Sequence, residues 1–99
     1  MALSLGTNPL FFDSITGASV QGKKRVLAIL WVEGIGKDIA ADDNFAVTDS
    51  NGVMIVSKTA AAAGDELILS FSQPTTWDGL TVSVLDDGVC FIYLDLQDD

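Results

Sequence analysis

The sequence predicts an all-β fold, a small antiparallel β-sandwich or barrel of about 6–8 short strands. Apolar and polar residues alternate over several short runs, which is the period of a strand with one buried face. Gly, Asp, Asn and Pro separate these runs at regular intervals, as the turns between antiparallel strands require. The chain has 99 residues, 48% of them hydrophobic, which suffices for one core and not for two.

Residues 1–22 lack this alternation, and we expect them to form an extended N-terminal arm or an edge segment. Residues 23–99 then make a single β-sandwich domain. No positive charge precedes the first apolar residues, so the start lacks the pattern of a secretory signal peptide. No apolar stretch approaches the roughly 20 residues of a membrane helix. We expect a protein made and used in a cytoplasm, without a membrane partner.

The most apolar predicted strand runs from Lys24 to Val32. Because successive side chains of a strand point to opposite faces, alternation gives it two apolar faces: Val26, Ala28, Leu30 and Val32 on one, and Leu27, Ile29 and Trp31 on the other. Only one face of a strand in a two-layer sandwich meets the core. The second face must be covered by the N-terminal segment or by another subunit. Our interface hypothesis therefore combines Leu27, Ile29 and Trp31 with an arm around Phe11 and Phe12.

An Asn-Gly pair at positions 51–52 predicts a hairpin turn, because Gly supplies the positive φ that tight turns need. The strands on either side are Phe45–Thr48 and Val53–Lys58. A two-residue loop places Val47 opposite Val56, and a three-residue loop places it opposite Ile55. The sequence leaves both registers open.

A last hairpin is predicted with positions 87–88 as its two-residue turn. This register places Val84 opposite Phe91 and Val82 opposite Tyr93, so that β-branched residues stack on aromatic ones. The strand before it ends in the polar run 72–76 and carries three alternating apolar residues: Leu67, Leu69 and Phe71.

The formal net charge is −9, and Lys23, Lys24 and Arg25 form the one basic cluster. A surface that binds phosphates needs several Lys or Arg residues on one face, so we expect no nucleic-acid partner. The cluster has two interpretations. It is a solubilising flank of the apolar strand, or it contacts an acidic surface on a neighbouring copy or partner and fixes the register of that contact.

The residue types of common active sites are missing from the sequence. The chain has no histidine, which excludes Ser-His-Asp and Cys-His catalysis and histidine metal sites. Carboxylate pairs of the glycosidase kind need a cleft, which a small sandwich rarely provides. Cys90 is the single cysteine, so it forms no internal disulfide and is interpreted as a buried thiol. We predict a protein that is not an enzyme and holds no cofactor.

Two loop patterns suggest ligand sites but fail on spacing. The stretch at 34–37, Gly-Ile-Gly-Lys, has Trp31 where a phosphate loop requires Gly and Ile39 where a dinucleotide fingerprint does. The acidic loop residues that could offer oxygens to calcium lack the spacing of an EF-hand: Asp38, Asp42, Asp43, Asp49 and Asn51. We interpret the first pattern as a loop between strands and the second as solvated carboxylates, and predict no metal site.

Trp77 is the one aromatic residue that the sequence places in a polar loop, ahead of Gly79. Trp31 and Tyr93 lie in apolar strands, where packing is the default. In a receptor- or carbohydrate-binding module, Trp77 would contact the ligand together with loops 72–76 and 33–43, because exposed aromatic rings stack on sugars. The alternative interpretation makes Trp77 a cap on the core.

The C-terminal half of the chain carries a pattern of turns and alternating strands. It consists of Trp77-Asp78-Gly79-Leu80-Thr81-Val82-Ser83-Val84-Leu85-Asp86-Asp87-Gly88 running into Val89-Cys90-Phe91-Ile92-Tyr93-Leu94, preceded by the turn Asp49-Ser50-Asn51-Gly52. With this pattern, the stretch from about Arg25 to Leu94 resembles the small all-β virion proteins of tailed bacteriophages that decorate or cement the capsid or act as tail adaptors. The pattern includes no catalytic or ligand residue to transfer.

The resemblance implies a structural virion protein, a capsid decoration or cement protein that stabilises the head by subunit contacts. Its implied partners are copies of itself, as a trimer, and other virion proteins such as the major capsid protein. Many weak contacts in such a lattice add up through avidity. The implied location is the virion, after assembly in the host cytoplasm. A tail or neck adaptor is the alternative within this class, and a receptor- or carbohydrate-binding module is the alternative outside it.

Overall fold

Six β-strands form one antiparallel sheet in the computed structural model, which describes residues 9–15 and 19–95. The strands are β1 (Leu10–Phe12), β2 (Ser19–Val32), β3 (Asn44–Thr48), β4 (Met54–Thr59), β5 (Leu67–Leu85) and β6 (Val89–Leu94). Their order across the sheet is β1-β6-β2-β5-β3-β4, without closure between β1 and β4. The predicted all-β class is confirmed. No helix long and apolar enough to cross a membrane occurs in these residues.

The sheet curls, and the core lies on its inner side. β5 separates β2 from β3 in the sheet, yet the rings of Trp31 and Phe45 on those two strands stack with centroids 5.3 Å apart. Strands that are not neighbours bring side chains together in this way only where the sheet folds over itself. The core cluster draws buried residues from five strands and two loops: Leu10, Val26, Ile29, Trp31, Ile39, Phe45, Val47, Ala60, Leu80, Val82, Cys90, Ile92 and Leu94.

Part of the predicted N-terminal arm belongs to the sheet. β1 is an edge strand that pairs with β6, with Leu10 opposite Ile92. β2 begins at Ser19, opposite Thr81 of β5, so residues 19–22 are strand residues and not arm. Residues 1–8 and 16–18 of the predicted arm lie outside the described residues.

A β-bulge in β2 changes which side chains share a face. Val26 lies opposite Leu94 and Ala28 opposite Tyr93, so Leu27 is the extra residue that a bulge inserts. Val26 therefore points to the same side as Ile29 and Trp31, and all three side chains are completely buried. The prediction that Leu27, Ile29 and Trp31 form one face for contact with another subunit is wrong, because Ile29 and Trp31 lie in the core of a single chain.

The predicted hairpin between β5 and β6 is also wrong. The two strands are not paired, since β6 lies between β1 and β2, and the predicted partner of Phe91, Val84, lies opposite Ala46 of β3. Pairing with β3 continues to the end of β5, where the Asp86 amide donates to the Asn44 carbonyl oxygen at 3.0 Å. In the residue after Asp86, the carbonyl oxygen of Asp87 accepts a 2.8 Å hydrogen bond from Trp31 Nε1. These hydrogen bonds attach the segment between β5 and β6 to β3 and to Trp31 of β2, so the two strands do not form a hairpin.

The first predicted hairpin forms, but neither predicted register holds throughout. Val47 lies opposite Val56, as a two-residue loop requires, whereas Thr48 lies opposite Met54, as a three-residue loop requires, and a register shift separates the two pairs. The Asp49 carboxylate closes its turn by accepting hydrogen bonds from the amides of Asn51 and Val53, both at 2.9 Å. Gly52 has a φ of 82°, the left-handed conformation that this turn position requires. Local turn chemistry therefore sets the pairing next to the turn, and the irregularity between Val47 and Thr48 sets the pairing beyond it.

The polar run at 72–76 does not end a strand, as the sequence suggested, but lies inside β5. Thr75 and Thr76 lie opposite Val26 and Arg25 of β2, so the ladder resumes after an irregularity that begins beyond Ser70. Pro74 falls in this irregular stretch, which is where a residue without an amide hydrogen is tolerated in a sheet.

Candidate functional site: the outer face of the sheet

A row of apolar side chains crosses four neighbouring strands on the side of the sheet that faces away from the core. The strand register sets Phe11 beside Phe91, Phe91 beside Leu30, and Leu30 beside Ile68. Because residues two apart in a strand share a face, Tyr93 and Ala28 form the next row along. We call this set of residues the outer face: Phe11, Ala28, Leu30, Ile68, Phe91 and Tyr93.

The large residues of the outer face are open to solvent or only half-buried. Ile68 is 69% exposed, Phe11 52% and Tyr93 39%, while Leu30 and Phe91 are half-buried. The rings of Phe11 and Phe91 pack against each other with centroids 5.1 Å apart, which holds the edge strand β1 against β6. The core covers one side of these strands, and the described part of the chain leaves the other side uncovered.

A tight turn at one end of the outer face adds a projecting apolar side chain. Gly34 and Lys37 exchange two backbone hydrogen bonds of 3.2 and 3.0 Å, so Ile35 stands at the tip of the turn, fully exposed. Ile35 and the Phe11–Phe91 pair line a shallow open groove whose floor is Val89. Val89 is covered by the backbone of the same turn, because a Cβ added at Gly34 would meet its Cγ1 at 3.0 Å.

The charged residues near the outer face lie at its rim. Lys37 Nζ is 3.5 Å from the carbonyl oxygen of Asp13. The Glu33 carboxylate accepts the Ile39 amide at 2.9 Å, and the Glu66 carboxylate accepts the Glu33 amide at 2.8 Å. An apolar centre surrounded by a polar rim is the composition of a protein–protein interface.

The other predicted interface residues are distributed between the core and the surface. Phe12 packs against the core, since it neighbours Phe11 and points to the opposite side of β1. Leu27 is 38% exposed at the bulge. Arg25 forms an ion pair with Asp95, with Nη2 and Oδ2 3.3 Å apart, and Lys23 lies opposite Asp78.

The basic cluster is placed on β2 beyond the bulge, away from the row that defines the outer face. The interface role of Lys23, Lys24 and Arg25 stays a prediction, because no contact with another chain bears on it.

Trp77 occupies a different position from the exposed ligand contact that the carbohydrate-binding hypothesis needs. It lies in β5 opposite Lys24, is half-buried and packs against the core. Its indole Nε1 is buried and has no hydrogen-bond partner among the described residues. This geometry favours the interpretation of Trp77 as a cap on the core.

The sequence analysis missed Leu30, Ile68, Phe91 and Tyr93 as candidate site residues. A usable pattern was present, since Leu67-Ile68-Leu69 and Phe91-Ile92-Tyr93 are both continuous apolar runs. A strand whose side chains are apolar in both directions predicts burial of both faces. Three such strands lie side by side in this sheet, and that neighbourhood could not be known before the strand order.

Several carboxylates of the described residues close turns. Asp43 accepts the Ala40 amide at 2.8 Å, as Asp49 does for its own turn. No group of three or more His, Cys, Asp or Glu residues stands close enough to hold a metal within residues 9–15 and 19–95. Burial raises the pKa of the Cys90 thiol to about 12, which keeps it protonated and a poor nucleophile. The arrangement therefore offers apolar surface for binding.

Comparisons of the chain with protein-family models, with curated proteins and with solved structures find no match.

Proposed function

We propose that this chain is a non-catalytic structural subunit, and that its work is to bury the outer face against other protein subunits. The observation that carries the proposal is the exposed row of Phe11, Phe91, Leu30 and Ile68 across four strands. Burial of apolar surface contributes roughly 25 cal/mol per Å². A domain that leaves such a row uncovered gains stability when a partner covers it.

The resemblance to small all-β virion proteins of tailed bacteriophages narrows the proposal to a capsid decoration or cement protein. In that role the outer face contacts copies of this chain or the major capsid protein, and the head is stabilised by many such contacts acting together. A tail or neck adaptor would use the same face in the same way, at another place in the particle.

The outer face shares Phe11 with the interface we expected from the sequence, but it takes different residues of β2 and adds residues of β5 and β6. Ile29 and Trp31 point inward and Leu30 lies on the open side, and the bulge at Leu27 adds Val26 to the inward set. The physical idea is unchanged: the sheet has more apolar strand surface than residues 9–15 and 19–95 of one copy cover.

A carbohydrate-binding module is the weaker candidate. Such a module presents an aromatic ring to its ligand, whereas the ring of Trp77 packs against the core. Equal binding by the parent and a Trp77→Ala variant on a glycan array, or no signal from either, would remove this candidate.

The proposal is tested on purified tailed-phage particles made by the source of this sequence. Mass spectrometry of intact particles should find the chain in many copies per particle, in a fixed ratio to the major capsid protein. Particles that lack the chain, while the lysate around them contains it folded, would show that it is not a virion component.

A further inference from the structure

We infer that the outer face is the contact surface of a two-fold symmetric dimer, in which Ile35 of each copy packs into the groove beside the Phe11–Phe91 pair of the other. This inference rests on the proposed function, because it uses the same face, and it commits that face to a second copy of this chain.

The projecting Ile35 side chain and the groove lie side by side on one surface. Ile35 is fully exposed at the tip of the Gly34–Lys37 turn and also lines the groove formed with Phe11, Val89 and Phe91. A surface that carries both members of a complementary pair is matched by its own copy after a two-fold rotation, since each residue then contacts its counterpart's partner. A cyclic trimer needs two different patches on each subunit, and the apolar row offers one continuous patch.

The area of the outer face is that of a small protein–protein interface. β1 contributes three residues, and the facing parts of β6, β2 and β5 contribute about four to six each. At about 4.8 Å between strands and about 3.4 Å per residue, the flat face is roughly 300 Å². The exposed side chains of Phe11, Ile68 and Ile35 stand out from this plane and enlarge the surface, which suits an interface at the small, weak end of the range, below roughly 600 Å² per partner. Two such faces stack at about 10 Å, as the layers of a β-sandwich do.

The charged residues at the rim of the groove also suit a two-fold dimer. The rim beside the groove carries Lys37 together with Asp13 and Glu33, so a two-fold axis can place the cation of each copy near the carboxylates of the other. Elsewhere the net charge of −9 on each copy opposes association. Added salt screens that repulsion, so a dimer held by the outer face tightens as salt rises. A contact made by the basic cluster on an acidic surface would loosen instead.

Sedimentation equilibrium of the full chain tests the inference. From about 1 to 300 μM, which brackets a micromolar Kd, the mass should rise from 10.4 kDa towards twice that value, and the rise should begin at lower concentration in higher salt. Ile35→Asp should raise the Kd at least about tenfold. Val53→Asp is the matched control, because Val53 is 53% exposed at the far hairpin, and it should leave the Kd unchanged.

Each other outcome overturns the inference. A chain that stays monomeric throughout, a trimer, or a dimer that Ile35→Asp weakens no more than Val53→Asp would all contradict it. Misfolding of Ile35→Asp is checked by thermal unfolding and is not expected for a fully exposed side chain. A monomer in solution that is nevertheless present in particles would overturn the dimer and leave the proposed structural function standing.

Discussion

The two tryptophans differ in how the indole N–H is satisfied, and this difference has an energetic consequence. Trp31 is completely buried, stacks on Phe45 and donates to the Asp87 carbonyl oxygen at 2.8 Å. Trp77 has a buried N–H without an acceptor among the described residues. A buried polar group without a partner costs about 1–3 kcal/mol.

We therefore expect stability changes of different size from the same substitution at the two positions. Trp31→Phe should lower the free energy of unfolding by about 2–4 kcal/mol, through a lost hydrogen bond and a cavity. Trp77→Phe should change it by less than about 1 kcal/mol, since removal of the unpaired N–H offsets the lost ring volume. Urea unfolding of both variants measures the difference. Equal losses would mean that the Trp77 N–H has an acceptor.

Gly88 stands where the chain crosses over the core between β5 and β6. Its φ is 79°, and a Cβ there would meet Trp31 Nε1 at 2.9 Å and the Val32 carbonyl oxygen at 3.0 Å. Gly52 has a similar φ of 82° but open space around its added Cβ. The two positions separate backbone strain from steric contact.

Gly88→Ala should destabilise the fold by about 3 kcal/mol or more, and Gly52→Ala by about 1 kcal/mol. The first variant combines left-handed strain with a clash against backbone, and the second has the strain alone. Thermal unfolding of the pair provides the comparison. A loss at position 88 no larger than that at position 52 would show that the crossover is not tightly packed.

Among the structural elements, the loop after β4 has an electrostatic contact that depends on pH. The Ala61 amide donates to Asp65 Oδ2 at 2.8 Å, and Lys58 Nζ lies 3.4 Å from the same oxygen. The hydrogen bond from Ala61 first, and the Lys58 side chain after it, hold the pKa of Asp65 below its ordinary value of 3.8. Because the pKa is lowered on folding, the stabilisation is present above the ordinary value and is lost as pH falls through the lowered one.

Asp65→Asn should therefore be less stable than the parent at pH 7, and the difference should shrink below about pH 4, where the carboxyl group protonates. Lys58→Met is the companion variant, and it should keep most of the pH dependence, because the Ala61 hydrogen bond remains. Urea unfolding between about pH 2.5 and 7, a range that includes the ordinary pKa of an Asp carboxyl group, measures the free energy of unfolding of both variants. A stability difference for Asp65→Asn that is independent of pH would rule out a contribution from ionised Asp65.

The sequence predicts strands better than it predicts their partners. The turn at 49–52 closes locally, since Asp49 and Gly52 supply the turn chemistry within a few residues. The Val47–Val56 pairing beyond it follows a register shift that the turn does not predict. The turn at 87–88 fails as a predictor because its contacts are distant: the neighbouring Asp86 bonds to Asn44 and Asp87 to Trp31. Hairpin rules do not include such contacts.

The bulge in β2 shows why the sequence predicts that an exposed apolar face exists but does not predict which residues form it. Every residue from Val26 to Val32 is apolar, so the pattern is unchanged when one residue is inserted into the alternation. A slip of one residue moves a whole apolar set from one face to the other. Surplus apolar surface was therefore predictable from composition, whereas its assignment to Leu30, Ile68 and Phe91 required the register.

For the whole molecule, the central claim is that the outer face binds other subunits of an assembled particle. Ile68 is at the centre of this claim, because it is 69% exposed within the apolar row. Val53, 53% exposed at the far hairpin, gives a matched position outside the row. Exposed residues of this kind tolerate charge without loss of folding, so both variants should unfold at nearly the parent temperature.

The most direct measurement is the number of copies per purified particle for Ile68→Lys and for Val53→Lys, each produced beside the untagged parent chain and counted by quantitative mass spectrometry. We expect Ile68→Lys to be depleted at least about tenfold, which corresponds to about 1.4 kcal/mol of lost contact energy, and Val53→Lys to enter particles like the parent. Equal incorporation of the two folded variants would contradict the account.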